Sequence, residues 1–531
     1  MKLSELLLAG AASIVLAHEN VYPDVDESHS HAYDHKACGP EGLGDGSLRL
    51  SAADIFGTGD TDALTYYVGN NTRSHPREDL TPPSGHNWSH TTSCFNRISS
   101  NDAFCVFTDT SYADGHGISF ITTAQRAAYL ASLPTFTSPS TTTKPNPAKY
   151  TISSIPGKGL GLIATTRIPR GSLILSSHPT LMIDYRVFDE LLRTDYISLE
   201  AAAISSLPQA HRSAFFNLST QSKNANVTDG LSRIALTDTI ITTNAFDIPP
   251  PRPSPPPSHP YASPQEPGDP ADDLWYTVFA SPISRLNHDC RPNADYRFDW
   301  NSNKDGPGLV QVITAVRDIL PGEEITISYI NPLKSRQARQ KHLRTVWGFN
   351  CSCELCSRSR GMVEESDRRI RLIKELRRLL REEGKDDGSK VGRGEEEEGW
   401  MTGSRGQGDR TKMAESLVNL YEMEGLWGMI FEAYAIAARE YSIVGEAWMA
   451  MKWAELAVEF GAMVLGEGDE EVREMKELAR DPWGHGSWRS RKSGGYGEED
   501  EGEDWIEGDE RPECFGVEDG SDGEDEDEEG W

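Results

Sequence analysis

The sequence predicts a multidomain protein of the α+β class with a C-terminal α-helical region. Residues 310–316 alternate apolar and polar side chains, and residues 325–329 form a second short apolar run, as β-strands do. Turn residues at 318–323 separate the two runs, so we expect a hairpin. Apolar residues recur at helical spacing in 188–218 and again in 413–465, which predicts helices before and after these strands.

Length and charge limit the classes of function. A chain of 531 residues has room for roughly two to four domains. Its formal net charge of −31 argues against duplex nucleic acid as the main partner, because phosphates bind positively charged surfaces. No segment after the N-terminus is long and apolar enough to cross a membrane.

The first residues have the pattern of a secretory signal peptide, which we assign to residues 1–17. Lys2 precedes an apolar segment at 6–16, and Ala17 ends a small-residue cleavage site. The apolar segment is too short to span a bilayer. A buried N-terminal helix or a short anchor is the alternative interpretation.

Residues 18–146 are expected to form a separate N-terminal region that ends in a Ser/Thr/Pro linker. Cys94 and Cys105 could close a short disulfide loop if the chain is secreted. The sequence assigns this region no chemistry.

Four cysteines have the spacing of a metal site. Cys351, Cys353 and Cys356 form a C-x-C-x2-C pattern, and Cys290 lies beside an Asn-His pair. Four thiolates complete a closed tetrahedral zinc site of the structural kind. Such a site would attach the segment after Tyr329 to the Asn-His loop. Two disulfides or four free thiols remain as alternatives.

Four motifs in order resemble one known family. Asn-His-x-Cys-x-Pro-Asn at 287–293 and Gly-Glu-Glu-Ile-x-Ile-x-Tyr at 322–329 are followed by Gly-Phe-x-Cys-x-Cys-x2-Cys at 348–356. Together with the glycine-rich segment at 157–171, they resemble the SET domain with its post-SET zinc segment. The likeness covers roughly residues 149–358.

Within this family the chain looks closest to the branch of SET- and MYND-domain proteins and their fungal relatives. It departs from the MYND members because no cysteine lies between Cys105 and Cys290, where a cysteine-rich insert would be expected. The resemblance implies a SET-type fold of small β-sheets with a pseudoknot and a helical insert. The implied division is a SET domain at 147–346 with a proline-rich disordered surface loop at 249–270, a post-SET zinc segment at 347–358, a charged helix and linker at 359–412, a helical region at 413–480 and an acidic disordered tail at 481–531. The helical region resembles a degenerate tetratricopeptide hairpin, with a plain helical subdomain as the alternative.

The resemblance also implies an activity, which is methyl transfer from S-adenosylmethionine to the ε-amine of a protein lysine. Tyr329 would orient the amine, which must be neutral to attack although a free lysine has a pKa near 10.4. The family's zinc ligands correspond to Cys290, Cys351, Cys353 and Cys356. The positions that match cofactor contacts are Lys158, Gly159, Leu160, Asn244, Asn287, His288, Tyr329 and Phe349.

Several alternatives stay open at this point. His288 could hold its loop through hydrogen bonds rather than contact the cofactor. The whole chain could be a non-catalytic SET scaffold that binds a protein partner, through the helical region for example. The signal peptide favours the secretory pathway, whereas the nucleus or cytoplasm is expected for SET enzymes.

Overall fold

The computed structural model describes residues 86–90, 93–98, 102–133, 136, 149–220, 230–249, 274–300, 309–381 and 407–490. The expected signal peptide, residues 250–270 of the proline-rich loop and the acidic tail beyond residue 490 lie outside these ranges. No helix among the described residues is long and apolar enough to span a membrane.

In the part of the chain that the structure describes, the strands form three sheets, which confirms the α+β class. Their strand orders are β1-β2-β3-β7-β9-β8, β10-β13-β5-β4 and β11-β12-β6. The strands are β1 Cys94–Asn96, β2 Ala103–Asp109, β3 Ile118–Thr123, β4 Tyr150–Ile155, β5 Gly159–Ala164, β6 Leu173–Ser177, β7 Leu181–Asp184, β8 Phe246–Ile248, β9 Trp275–Val278, β10 Asn287–His288, β11 Ala294–Asp299, β12 Val310–Ala315 and β13 Glu324–Ile327.

The helices fall into three groups along the chain. Within the described residues, two α-helices precede β4, four lie between β7 and β8, and seven follow β13. They are α1 Tyr112–Gly115, α2 Ala124–Ser132, α3 Val187–Glu190, α4 Arg193–Ser206, α5 Gln209–Phe216, α6 Gly230–Asn244, α7 Arg336–Trp347, α8 Glu354–Ser357, α9 Arg360–Arg381, α10 Gln407–Glu424, α11 Ile430–Ile443, α12 Ala447–Val464 and α13 Glu470–Arg480.

The N-terminal region is not separate from the SET-like region, which corrects the boundary expected at 146/147. Strand β3 pairs in parallel with β7, with Ser119 opposite Leu181. Strands β2 and β3 are buried along their whole lengths, so both faces of this sheet need covering. Cys94 and Cys105 face each other across β1 and β2 and form a disulfide. The alternation of apolar residues predicts such strands but not their partners.

The expected hairpin of β12 and β13 is wrong, because the two strands belong to different sheets. Strand β13 pairs in parallel with β10 and antiparallel with β5, whereas β12 lies between β11 and β6. The connection carries an ion pair between Arg317 and Glu323 and a bridge from Ile319 to Ile168. These contacts turn the chain out of one sheet and into the next.

The helical insert packs on the six-stranded sheet and buries an acidic pair. Glu200 of α4 and Asp238 of α6 are 1% and 4% exposed, and Arg193 donates a hydrogen bond of 2.6 Å to Asp238. Glu200 Oε2 has no hydrogen-bond partner. Burial, followed by repulsion from Asp238, raises the pKa of Glu200 well above its ordinary value. Glu200 is therefore protonated in the folded protein at pH values where the unfolded chain has lost that proton.

We expect Glu200→Gln to stabilise the protein at pH 8 and to have no such effect at pH 4. A raised carboxyl pKa costs stability as pH climbs above the unfolded value of about 4.3, and each pKa unit is worth about 1.4 kcal/mol. The variant should therefore gain free energy of unfolding over the unchanged protein at pH 8 and not at pH 4. Urea unfolding at the two pH values measures it, with the exposed Glu364→Gln as a control. A gain of equal size at both pH values would contradict the argument.

The C-terminal helices form one core and pack in sequence order. Residues of α9 to α13 share a hydrophobic cluster that includes Ile373, Tyr421, Ala454 and Val472. The tetratricopeptide likeness of this region stays a prediction.

The acidic tail begins later than expected. Residues 481–490 follow α13 and return to the end of α11. The Arg489 amide donates to the Ser442 carbonyl at 3.0 Å, and the Ser487 and Ser442 hydroxyls are 2.8 Å apart. The expected start of the disordered tail at residue 481 is therefore wrong for these ten residues. Ser487 and Arg489 contact the end of α11 here, and composition does not reveal these contacts.

Candidate functional site

The loop at 287–293 is fixed to β13 at both of its ends. Asn287 pairs with Thr326 and His288 with Ile327 in the parallel ladder of β10 and β13. At the other end, Asn293 accepts a hydrogen bond of 2.9 Å from the Thr326 amide and donates one of 2.8 Å to the Glu324 carbonyl. The loop therefore keeps one position relative to the strand that leads to Tyr329.

The Asn287 side chain connects this loop to the glycine-rich hairpin. Its Nδ2 donates to Glu324 Oε1 at 2.8 Å and to the Leu160 carbonyl at 3.2 Å. Lys158 Nζ donates to the other carboxylate oxygen of Glu324 at 2.7 Å. Two of the expected cofactor-binding positions, Lys158 and Asn287, thus meet at one carboxylate, and a third, Leu160, is bonded to Asn287. Glu324 was not among the residues predicted from sequence, although it lies within the Gly-Glu-Glu motif.

Gly161 makes this close approach of strand and loop possible. A Cβ at this position would lie 2.7 Å from Asn287 Nδ2, 2.7 Å from Ile155 Cγ1 and 2.9 Å from Glu324 Oε1. Gly157 and Gly159 have φ values of 77° and 81°, and a Cβ at either would meet no atom within 4 Å. The hairpin therefore presents open backbone at its tip and a tight contact behind it.

We expect Gly161→Ala to destabilise the protein by about 1–3 kcal/mol, because the new methyl group must displace the side chains around it. Chemical denaturation measures this loss. Gly361→Ala is the matched control, since its Cβ would have no neighbour within 4 Å. Equal stabilities of the two variants would contradict the close packing described here.

Tyr329 and His288 hold each other next to this loop. The Tyr329 amide donates to His288 Nδ1 at 3.0 Å, and the Tyr329 hydroxyl donates to the Leu286 carbonyl at 2.6 Å. Burial raises the pKa of Tyr329, so its phenol stays protonated at neutral pH. Burial lowers the pKa of His288 to about 3, so the imidazole is neutral. Its second nitrogen lies 3.4 Å from Cys290 Sγ, so both ring nitrogens have partners within the protein.

Four cysteine sulfurs converge behind the loop. Cys290, Cys351, Cys353 and Cys356 are all buried, and their Sγ atoms lie within 4.8 Å of one another. Cys290 Sγ is 3.9 Å from Cys351 Sγ and 3.6 Å from Cys356 Sγ. The Cys353 and Cys356 amides each point at a sulfur at 3.5 Å. Hydrogen bonds with Cys290 and Cys351 lower the pKa of the Cys353 thiol below its ordinary value. The structure thus brings together the four residues that the spacing singled out.

The remaining two predicted positions are placed differently. Phe349 packs with the cysteine cluster, and its ring centroid is 6.3 Å from that of His288. Asn244 ends α6 and donates to the carbonyls of Ser219 and Ile240, both at 2.8 Å. Ser219 in turn accepts a hydrogen bond from Arg285, two residues before Asn287. Asn244 is therefore connected to the loop through this chain of contacts.

A structural contact around the cysteines also escaped the sequence analysis. Gln340 of α7 brackets Cys351, donating to its carbonyl at 2.7 Å and accepting from its amide at 3.0 Å. The sequence of α7 is that of a solvent-exposed helix, so it does not predict that Gln340 contacts the Cys351 backbone. Its position becomes informative only once α7 is packed on the cluster.

The fold and the motif order define the class of protein. Residues 159–330 match the family model described as SET domain, so this segment is the part of the chain that resembles that family. It is similar to the Schizosaccharomyces pombe protein named histone-lysine N-methyltransferase set5, with 32% identity over 237 residues, 43% of this chain and 54% of that protein. A segment of 76 residues is 45% identical to the Mus musculus protein named protein-lysine N-trimethyltransferase SMYD5, covering 14% of this chain and 17% of that protein.

The similarity to these relatives is confined to part of their length. The chain spans about half of the fission-yeast protein. Among solved structures, the SET domain of LSMT bound to methyllysine and AdoHcy is 13% identical, with a TM-score of 0.25 over 63% of this chain and 87% of that chain. The expected resemblance to the SET-domain family is confirmed over residues 159–330, and the activity of this chain has to be argued from its own residues.

Proposed function

We propose that the chain transfers a methyl group from S-adenosylmethionine to the ε-amine of a lysine in a protein. One observation carries this proposal: the Tyr329 hydroxyl is bonded to the Leu286 carbonyl, next to Asn287, which reaches the glycine hairpin. The Tyr329 phenol, the Asn287 amide and the glycine hairpin therefore lie close together around the loop at 287–293. The names of the relatives, which are lysine methyltransferases, support the same reaction.

On the donor side, S-adenosylmethionine would supply an electrophilic methyl group on a cationic sulfur. The backbone of Lys158, Gly159 and Leu160 would line its site, because positive φ angles leave the hairpin tip free of side-chain obstruction. Asn287 would contact the donor, with its amide oriented by Glu324. His288 would contribute by holding the loop and the Tyr329 amide, and Asn244 and Phe349 would line the periphery.

On the acceptor side, the lysine amine must lose its proton before it attacks. Because the Tyr329 phenol has a raised pKa, it is suited to orient the amine and not to remove the proton. Desolvation in an apolar channel would lower the pKa of the lysine and favour the neutral amine. Catalysis would then consist mainly of holding donor and amine in line.

We further propose that the four cysteines hold a structural zinc ion. Zinc–sulfur bonds of about 2.3 Å in a tetrahedron place the sulfurs about 3.8 Å apart. The two separations from Cys290 Sγ, 3.6 and 3.9 Å, are close to this value. The ion would fasten the segment at 347–358 to the Asn287 loop and take no part in the methyl transfer.

The compartment is tested separately. The relatives' names favour the nucleus or cytoplasm, whereas the disulfide between Cys94 and Cys105 and the expected signal peptide favour the secretory pathway. Asn87 and Asn217 each begin a glycosylation pattern. Glycans at these asparagines in the natural host would establish secretion, and their absence together with nuclear localisation would exclude it.

The function is tested by incubating the full chain with labelled S-adenosylmethionine and a protein extract. Label transfer to lysine, located by mass spectrometry, is the expected result. Calorimetric titration with S-adenosylmethionine distinguishes an enzyme from a non-catalytic scaffold, since only the enzyme requires stoichiometric donor binding. If the zinc-loaded protein binds no S-adenosylmethionine, the proposal is rejected, and the hypothesis of a non-catalytic scaffold remains.

A further inference from the structure

Arg291 follows Cys290 directly and faces the C-terminal helices. Its Nη1 donates to the Cys290 carbonyl at 2.6 Å and to the Pro332 carbonyl at 3.3 Å. Its Nη2 donates to Glu424 Oε2 at 2.6 Å. One guanidinium therefore joins the loop at 287–293, the chain after Tyr329 and the helical region.

Glu424 is the last residue of α10, and its side chain is 2% exposed. Besides Arg291, it accepts hydrogen bonds from Arg369 at 2.6 Å and from Ser366 at 2.7 Å, both on α9. Two helices thus converge on this carboxylate. Removing its charge would leave two poorly exposed guanidinium groups without compensation, which is costly in a buried setting.

We propose that Glu424 and Arg291 are positioning residues that couple the C-terminal helical region to the donor site of the SET domain. They act through the loop that carries Asn287, and the proposal rests on the proposed methyltransferase function. The helical region then serves as part of the support of the donor site.

The geometry explains why Arg291 should matter for the donor and not for the chemical step. Asn287 lies four residues before Arg291, and Cys290 of the cysteine cluster lies between them in the chain. Glu324 fixes Asn287 at one end, and Glu424 fixes Arg291 at the other. Without the second anchor, the loop is held only by its bonds to β13 and by the Cys290 sulfur, so Asn287 is positioned less precisely for the donor. Tyr329 keeps its own bonds to Leu286 and His288 in either case.

The test compares two glutamates of the same helical region. Glu424→Gln should raise the Kd and the KM for S-adenosylmethionine about tenfold, as expected for a lost bond between buried charged groups. Its kcat at saturating donor should stay within about twofold, and its zinc content should not change. Glu432→Gln is the matched control, because Glu432 also binds two arginines of α9, Arg377 and Arg381, but none of the loop. This control should bind the donor as the unchanged protein does.

A second variant keeps the proposal testable if Glu424→Gln fails to fold. Arg291→Lys retains the charge and loses the fork of donors, so it should weaken donor binding in the same direction. Wild-type affinity in the folded Glu424 or Arg291 variant, or equal weakening in the Glu432 control, would overturn the coupling. If the unchanged protein itself binds no donor, the proposed function fails first, and the two failures are thereby distinguished.

Discussion

Tyr329→Phe is expected to lower kcat for lysine methylation by about 100-fold or more, while the Kd for S-adenosylmethionine stays within about twofold. The hydroxyl is the only atom removed, and it is the group that joins Tyr329 to the Leu286 carbonyl. Misplacement of a reacting group by about 1 Å can cost about 100-fold in rate. Tyr329 bonds to His288 through its backbone amide and not through its own side chain, so the substitution leaves this bond and the position of the loop unchanged.

Single-turnover methylation under saturating donor measures this effect, with calorimetry for donor binding. Tyr129→Phe is the control, because Tyr129 lies on α2 with 47% of its surface exposed. A Tyr329→Phe protein that binds the donor and methylates as fast as the unchanged enzyme would reject the orienting role of the phenol.

The second large effect is expected from the cysteine cluster. Cys356→Ser should remove the bound zinc and unfold the segment at 347–358. Structural zinc sites contribute about 10–16 kcal/mol of apparent binding free energy at neutral pH, and this energy is coupled to folding. Cys356 is linked to Cys290 across 66 residues, so its loss releases both the segment and the Asn287 loop. Donor binding should be lost together with the metal.

Metal analysis of the purified protein measures the first part of this prediction, and thermal unfolding with a chelator measures the second. Cys94→Ser is the control, since Cys94 bonds to Cys105 and is not part of the cluster. We expect one zinc per chain in the unchanged protein and in this control. Full metal content in Cys356→Ser would show that the cluster is not the zinc site.

Much of the site could be predicted because short motifs encode close contacts. The Asn-His pair and Tyr329 lie in segments whose residue types and spacing recur across a family, and they meet in the structure as expected. The four cysteines are informative for a similar reason, since thiolates at such spacing have few other uses. Local pattern also predicted helices of the insert and of the C-terminal region.

What escaped prediction depends on pairing between distant segments. Buried strands such as β3 have no residue that specifies β7 as a neighbour, so the N-terminal region looked independent. The β12–β13 turn looked like a hairpin because a turn sequence does not tell which sheet the next strand enters. Glu424 was invisible because a charged residue at a helix end is usually solvated, and its burial results from the packing of α9 against α10.

The six-stranded sheet has a consequence for how the chain folds as it is synthesised. The sheet that contains β1, β2, β3, β7 and β9 needs no residue beyond Val278, so it can assemble while the remainder is still being translated. The sulfur cluster requires Cys356, and the anchor of Arg291 requires Glu424. A nascent chain therefore has all the strands of this sheet well before it has the residues of the sulfur cluster or Glu424, so the proposed donor site must be completed after this sheet.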